Sequence, residues 1–182
     1  MDLRADARIP FPRSMVFAAY RDDMDRLLPY LPNVRAIEVK SRKEQGAVVE
    51  IVNHWRGGGE IPAAVRVVLS ESMLAWVDYA KWDADAFACD WRTETPAFAQ
   101  SMQSSGRNAF HDDGSGKTLL EVRGSIVIDA KKLPGVPGFF AGSVGRLAEA
   151  FLVEKIQANL LETARAMSKY LATVSPTSPV PA

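Results

Sequence analysis

The sequence predicts an α+β domain in which an antiparallel meander of about seven to eight strands wraps around one long C-terminal helix. Three observations carry this expectation. From Val34 onward, short alternating segments follow one another with tight turns between them, the texture of hairpin-connected strands rather than parallel crossovers. Two short helical segments stand after the first strand and before that meander. The last long apolar segment, Phe140 to Leu171, contains no proline and reads as a helix of about eight turns.

Leu3 to Phe11 alternates apolar and charged residues, as a half-buried strand does, and Pro10 and Pro12 end it. Ser14 is placed to cap a short helix through Tyr20, with Val16, Phe17 and Tyr20 on its apolar side. Met24 to Tyr30 forms a second one, closed by Pro29 and Pro32. The meander then runs through Val34–Arg42, Ala47–Arg56, Ile61–Leu69, Met73–Trp82 and Phe87–Thr95. The pattern does not settle Ala97 to Ser104. Beyond it, Gly106–His111 and Thr118–Ile128 flank Asp112-Asp113-Gly114-Ser115-Gly116, a strong hairpin signal. The closing helix carries two apolar faces. Val153, Ile156, Leu160, Ala164, Met167 and Leu171 share one, while Phe140, Val144, Leu147 and Phe151 point nearly opposite. Such a helix either bends near Phe151 or meets two different neighbours. The domain is expected over residues 1–172, followed by a disordered Pro/Ser-rich tail over 173–182.

Composition excludes several classes. A chain of 182 residues fits one domain with a substantial core. Lys plus Arg and Asp plus Glu both number 22, so no global field draws the protein to nucleic acid or an anionic membrane. The single cysteine, Cys89, supports neither an intramolecular disulfide nor a zinc cluster. The N-terminal residues lack the apolar core of a signal peptide, and no apolar run reaches spanning length, so a cytoplasmic protein is expected.

The order of elements brings a resemblance into view. Ile9-Pro-Phe-Pro-Arg-Ser-Met-Val-Phe17 is close to an opening shared by the START-like or SRPBCC superfamily, the helix-grip or birch-pollen-allergen fold. Leu27 to Val39 resembles its second short helix and first meander strand, and Gly114-Ser-Gly-Lys-Thr-Leu-Leu120 its last hairpin. The closing helix with Asn159-Leu-Leu161 is similar to its grip helix. The resemblance spans nearly the whole chain and points to no subfamily. It implies a cavity between sheet and helix for a lipid, sterol, quinone or polyketide-like molecule, in a carrier or in a polyketide cyclase or aromatase. It brings no cofactor.

Strand alternation nominates the wall of that cavity. Val49, Ile51, Asn53 and Trp55 share a face, as do Val65 with Val67, Trp76 with Asp78, Ala80 and Trp82, and Leu120 with Val122 and Ile126. Phe17, Leu147 and Phe151 would complete it from the helices. An ordinary packed core explains the same alternation. If the Trp76 face is inward, Asp78 is a buried carboxylate in need of a partner or a raised pKa; if outward, the tryptophans are exposed. His54, His111 and Asp78 are the candidate general bases, yet no nucleophile elbow or metal cluster accompanies them, and Gly57-Gly-Gly59 is not a phosphate loop because it lies between strands. The alignment of Asp90 with Arg92 and of Arg107 with His111 fits either cross-strand pairs or a solvated outer face.

The leading expectation is therefore a non-catalytic carrier of a hydrophobic ligand, with no metal and no catalytic residue assigned. The alternative is a cyclase whose cavity holds several convergent polar groups. Leu133, Val136, Phe139 and Phe140 lie in a Gly/Pro-rich loop and would be costly to solvate, which makes them a candidate gate at the cavity mouth, in transient contact with a membrane. Replacing Phe139 and Phe140 by serine is expected to slow ligand exchange with vesicles; unchanged exchange and affinity would remove the gate.

Overall fold

A computed structural model describes residues 2–58, 74–129, 132 and 141–175, leaving out the side chains of 98, 128, 141–149, 151–153 and 155. The elements follow in the order β1 (Asp2–Ile9), α1 (Arg13–Asp22), a 3-10 helix (Met24–Tyr30), β2 (Val34–Gln45), β3 (Val48–Gly57), β4 (Ala75–Asp83) and β5 (Ala88–Glu94). A short 3-10 turn (Pro96–Phe98), β6 (Met102–Asp112), β7 (Thr118–Ile128) and α2 (Ala141–Val174) complete the chain. Seven strands form one antiparallel sheet in the order β1-β7-β6-β5-β4-β3-β2. The α+β class with a meander and a long terminal helix is thus the architecture observed.

Local chemistry accounts for several departures from expectation. Ser14 does not cap α1. The Pro12 carbonyl accepts from Met15 and Val16, and the helix starts at Arg13 without a side-chain cap. Met24–Tyr30 is a 3-10 helix that holds Pro29 inside it rather than stopping before it. The unsettled stretch resolves into the 3-10 turn at Pro96 and the first residues of β6. Helix α2 continues through Thr173 and Val174, into what was expected to be the tail. The proposed strand Ile61–Leu69 lies outside the described residues, and β3 pairs with β4 along nine registered pairs.

The core sits at one end of the sheet. Phe17 of α1 meets Trp82, Phe87 and Phe110 edge-on at ring separations of 5.4–5.5 Å, and Tyr20 meets Phe110 at 5.4 Å. The C-terminal half of α2 buries Ala164, Met167 and Leu171, as its stripe predicts, together with Ala166 and Tyr170. This half packs on β1, on α1 and on the Met24–Tyr30 segment. The opposite face of α2, carried by Leu147 and Phe151, lies outside the described side chains. Thr118, fully buried, donates its hydroxyl to the Phe11 carbonyl at 2.7 Å and so ties the end of β1 to the β6–β7 hairpin.

Trp91 sets the spacing of the sheet's middle. On the inner face, Ile51, Ala80, Trp91, Gly106, Gly124 and Leu3 are successive cross-strand partners. A Cβ at Gly106 would lie 2.5 Å from Trp91 Cζ2 and closer still to the Arg123 carbonyl oxygen; at Gly124 it would lie 2.7 Å from the Ser105 carbonyl oxygen and 3.0 Å from Trp91 Cζ2. Both positions must be bare for the indole to fit. A backbone oxygen cannot swing aside as a side-chain tip can, so Gly106→Ala is expected to destabilise the fold by about 1–3 kcal/mol, read as a lower urea midpoint with an unchanged slope.

Candidate functional site

One register row differs from its neighbours. Toward the core, the inner face is lined by Val49, Trp82, Cys89 and Val122, all buried, and then by Ile51, Ala80 and Trp91. The next row along β3 to β7 is Asn53, Asp78, Thr93, Ser104 and Ile126, each the registered partner of the one before. Four consecutive strands thus place a polar residue side by side, whereas Asn108 and Thr118, elsewhere on the same face, are bonded to Trp91 and to the Phe11 carbonyl. Beyond that row, Trp55 and Trp76 are partners and stack with ring centroids 5.4 Å apart and planes 13° from parallel. The polar row is therefore flanked on one side by two stacked indoles and on the other by Ile51 and Trp91.

The row is only partly satisfied within itself. Asn53, 8% exposed, donates from Nδ2 to Asp78 Oδ2 at 3.3 Å. Thr93 and Ser104 share a short hydroxyl–hydroxyl hydrogen bond. Asp78 receives no other hydrogen bond among the described residues, and none joins it to Thr93 although the two are register neighbours. Asp78 is half-buried by accessible surface yet closely surrounded by protein. A carboxyl so placed loses most of its hydration while keeping one accessible side. Burial raises its pKa from 3.8 to about 6, and the single bond from Asn53 opposes only part of the rise. Burial also raises the Cys89 thiol, with the Asp78 charge adding to the effect. Two further polar atoms, Trp55 Nε1 and Tyr20 Oη, are buried without a partner among the described residues. Trp91 Nε1, by contrast, donates to Asn108 Oδ1 at 2.9 Å.

The sequence-nominated residues separate into three groups. Phe17, Ile51, Trp82 and Val122 are buried within the continuous core. Trp55, Trp76 and Asp78 are half-buried at the other end of the inner face. Val65, Val67, the loop residues Leu133, Val136, Phe139 and Phe140, and the side chains of Leu147 and Phe151 lie outside the described set. The inward parity of Trp76, Asp78, Ala80 and Trp82 decides between the two readings left open for Asp78. The outer face carries the other charges: Asp90 pairs with Arg107 at 2.7 Å across β5 and β6, and His111 with Glu121 at 3.3 Å. Both pairs are solvated. Thr93 and Ser104 were not among the nominated residues. The parity of Thr93 with Trp91 was a usable signal, whereas Ser104 fell in a stretch whose pattern did not reveal a strand.

Comparisons with known proteins agree with this architecture. No protein-family model matches the chain, and no curated protein sequence matches it. Among solved structures, TTHA0849 from Thermus thermophilus superposes with a TM-score of 0.68 at 18% identity, covering 96% of this chain and 99% of that one. The Zhui aromatase/cyclase from Streptomyces sp. R1128 gives 0.68 at 14% identity, covering 98% of each chain. Ara h 8.0201 gives 0.54 at 15% identity, covering 95% of this chain and 98% of that one. The protein has the helix-grip fold that these structures share. Likeness at such low identity shows the fold alone. In addition, no described helix is long and apolar enough to cross a membrane.

The raised pKa of Asp78 has a consequence for stability. Between about pH 4 and 6 the folded chain holds a proton that the unfolded chain has released, so stability falls as pH rises through that window and stays reduced above it. Asp78→Asn removes the ionisation and keeps the shape. The variant is expected to be more stable than the parent at pH 8 by about 1–3 kcal/mol, with the gap closing by pH 4, measured by denaturant titration at both values.

Proposed function

We propose that the protein binds a hydrophobic small molecule on the inner face of its sheet and carries it without chemical change. The observation that carries this reading is the polar row Asn53–Asp78–Thr93–Ser104, set between the Trp55–Trp76 stack and Trp91. A binding site for an apolar molecule needs extensive apolar wall and a few fixed polar groups to set orientation. Half-buried tryptophans at the row supply wall, and an under-satisfied carboxylate supplies an anchor. Trp55, Trp76 and Asp78 are assigned to direct contact in this reading. Ile51, Trp82, Val122 and Phe17 form the packed floor; Val65 and Val67 remain assigned to the sheet's wall, and Leu147 and Phe151 to the helix side. The fold supports the reading because a helix laid against a concave sheet is suited to enclosing an apolar molecule.

A second reading is favoured by one observation, the near-neutral pKa of Asp78. A carboxyl with a pKa of about 6 in a half-enclosed site is matched to proton abstraction near neutrality. In a cyclase or aromatase the inner face would hold a flexible chain close to its reactive conformer, and Asp78 would take the proton. The two readings differ in what happens to the molecule. Native mass spectrometry of the purified protein, followed by organic extraction and identification of what co-purifies, is expected to return an apolar compound that rebinds and is recovered unaltered. Recovery as a dehydrated or cyclised product would favour the enzyme. A ligand-free protein with no thermal stabilisation by any apolar compound would overturn both.

A further inference from the structure

We infer that the gap between Asp78 and the Thr93–Ser104 pair is a subsite for a neutral hydroxyl group, so that the ligand is an apolar alcohol or phenol rather than an acid, an ester or a plain hydrocarbon. The inference rests on the binding reading above and narrows it to one substrate class.

An ionised carboxylate offers about four lone-pair sites, and among the described residues Asp78 uses one, for Asn53. Thr93 and Ser104 have two hydroxyl hydrogens between them, and their mutual bond consumes one. The second hydrogen has no acceptor among the described residues. Thr93 is the registered neighbour of Asp78, which places their Cβ atoms roughly 4.5–5.5 Å apart. Among the described residues, an unused acceptor and an unused donor thus stand side by side with no bond between them. A hydroxyl group answers both: its hydrogen goes to Asp78, and its oxygen accepts from the Thr93–Ser104 pair.

Other head groups fit less well. A carboxylate would bring a second negative charge against Asp78, at a cost that grows with burial. An ether or ester oxygen could accept from the hydroxyl pair but would leave Asp78 unanswered, and a hydrocarbon would leave both sides unpaired. An amine could donate to Asp78, but as an ammonium it has nothing to accept from the hydroxyls. Water carries the same donor and acceptor as a hydroxyl group, so a hydroxyl that replaces water there does so without loss and the apolar body of the ligand supplies the affinity.

The test uses two scaffolds of different shape, each as a hydroxyl compound and its methyl ether: 2-naphthol with 2-methoxynaphthalene, and 1-decanol with decyl methyl ether. 2-Naphthoate serves as the anion. Dissociation constants for the full chain are measured by calorimetry at pH 7.5. On at least one scaffold the hydroxyl compound is expected to bind roughly tenfold tighter than its ether, and 2-naphthoate is expected to bind more weakly than 2-naphthol. Asp78→Leu should reduce the hydroxyl preference below about twofold, and Thr93→Val should weaken the hydroxyl compound more than the ether. The preference in the unaltered chain stands as a readout even if a variant fails to fold. Equal binding of hydroxyl compound and ether on both scaffolds, or naphthoate as tight as naphthol, would overturn the hydroxyl subsite and leave apolar binding intact. No binding by any of the five would overturn the subsite together with the binding reading.

Discussion

The indole of Trp91 fills the space that side chains at Gly106 and Gly124 would occupy, and the middle of the sheet depends on that substitution of one large ring for two missing Cβ atoms. Glycine inside a strand ordinarily weakens it. Here the loss is offset by a buried aromatic surface shared across three strands and by the bond from Trp91 to Asn108. Because both glycines lie in one register row with Trp91, the ring fits in only one alignment of β5, β6 and β7. Since side chains alternate with a period of two, slipping any of these strands by one residue would turn its inner face outward. Trp91 therefore guards the alignment that brings Thr93 beside Asp78 and Ser104.

That alignment concentrates polar groups where the fold is least served by them. A row of hydrocarbon side chains would close the same face more securely, since buried polar groups stabilise only when fully paired. Asn53 and Ser104 are buried, more so than Trp55, Trp76 and Trp91 beside them, yet among the described residues the row leaves an acceptor and a donor unused. The chain divides its sheet accordingly. The end under α1 and the C-terminal half of α2 is built for stability, with Phe17, Trp82 and Phe110 interlocked. The end that carries Asp78 holds polar groups that are less fully paired among the described residues.

Much of this was legible in the sequence, for identifiable reasons. Alternation and turn residues are local signals, so the strands beginning near Val34, Ala47, Met73, Phe87 and Thr118, the hairpin at Asp113–Gly114 and the terminal helix could be read directly. The stripe Ala164, Met167, Leu171 was visible because helical period is also local. What was hidden depends on contacts between distant segments. The cap at α1 went to a backbone carbonyl rather than to Ser14, which no composition rule distinguishes. Alternation placed Asp78 on the face of Trp76 and Trp82 but could not say which way that face turned; only assembly of the sheet decides it. The neighbours of Asp78 were hidden for the same reason. Asn53, Thr93 and Ser104 are separated by tens of residues and meet only through the register of four strands.

The two ends of the sheet bear on how copies of the chain meet. Among the described strands β2 is an edge, yet its pairing with β3 shifts register twice, at Val34/Ala36 and at Val39/Ser41. Its outer stretch is charged and exposed, with Lys40, Arg42, Lys43 and Glu44 in succession around Ser41. The opposite edge, β1, alternates Arg4, Asp6 and Arg8 on its solvated side. A bulged and charged border is a poor template for strand addition by another molecule. Among the described residues, neither border of the meander thus offers a flat, uncharged edge on which a second copy of the chain could build.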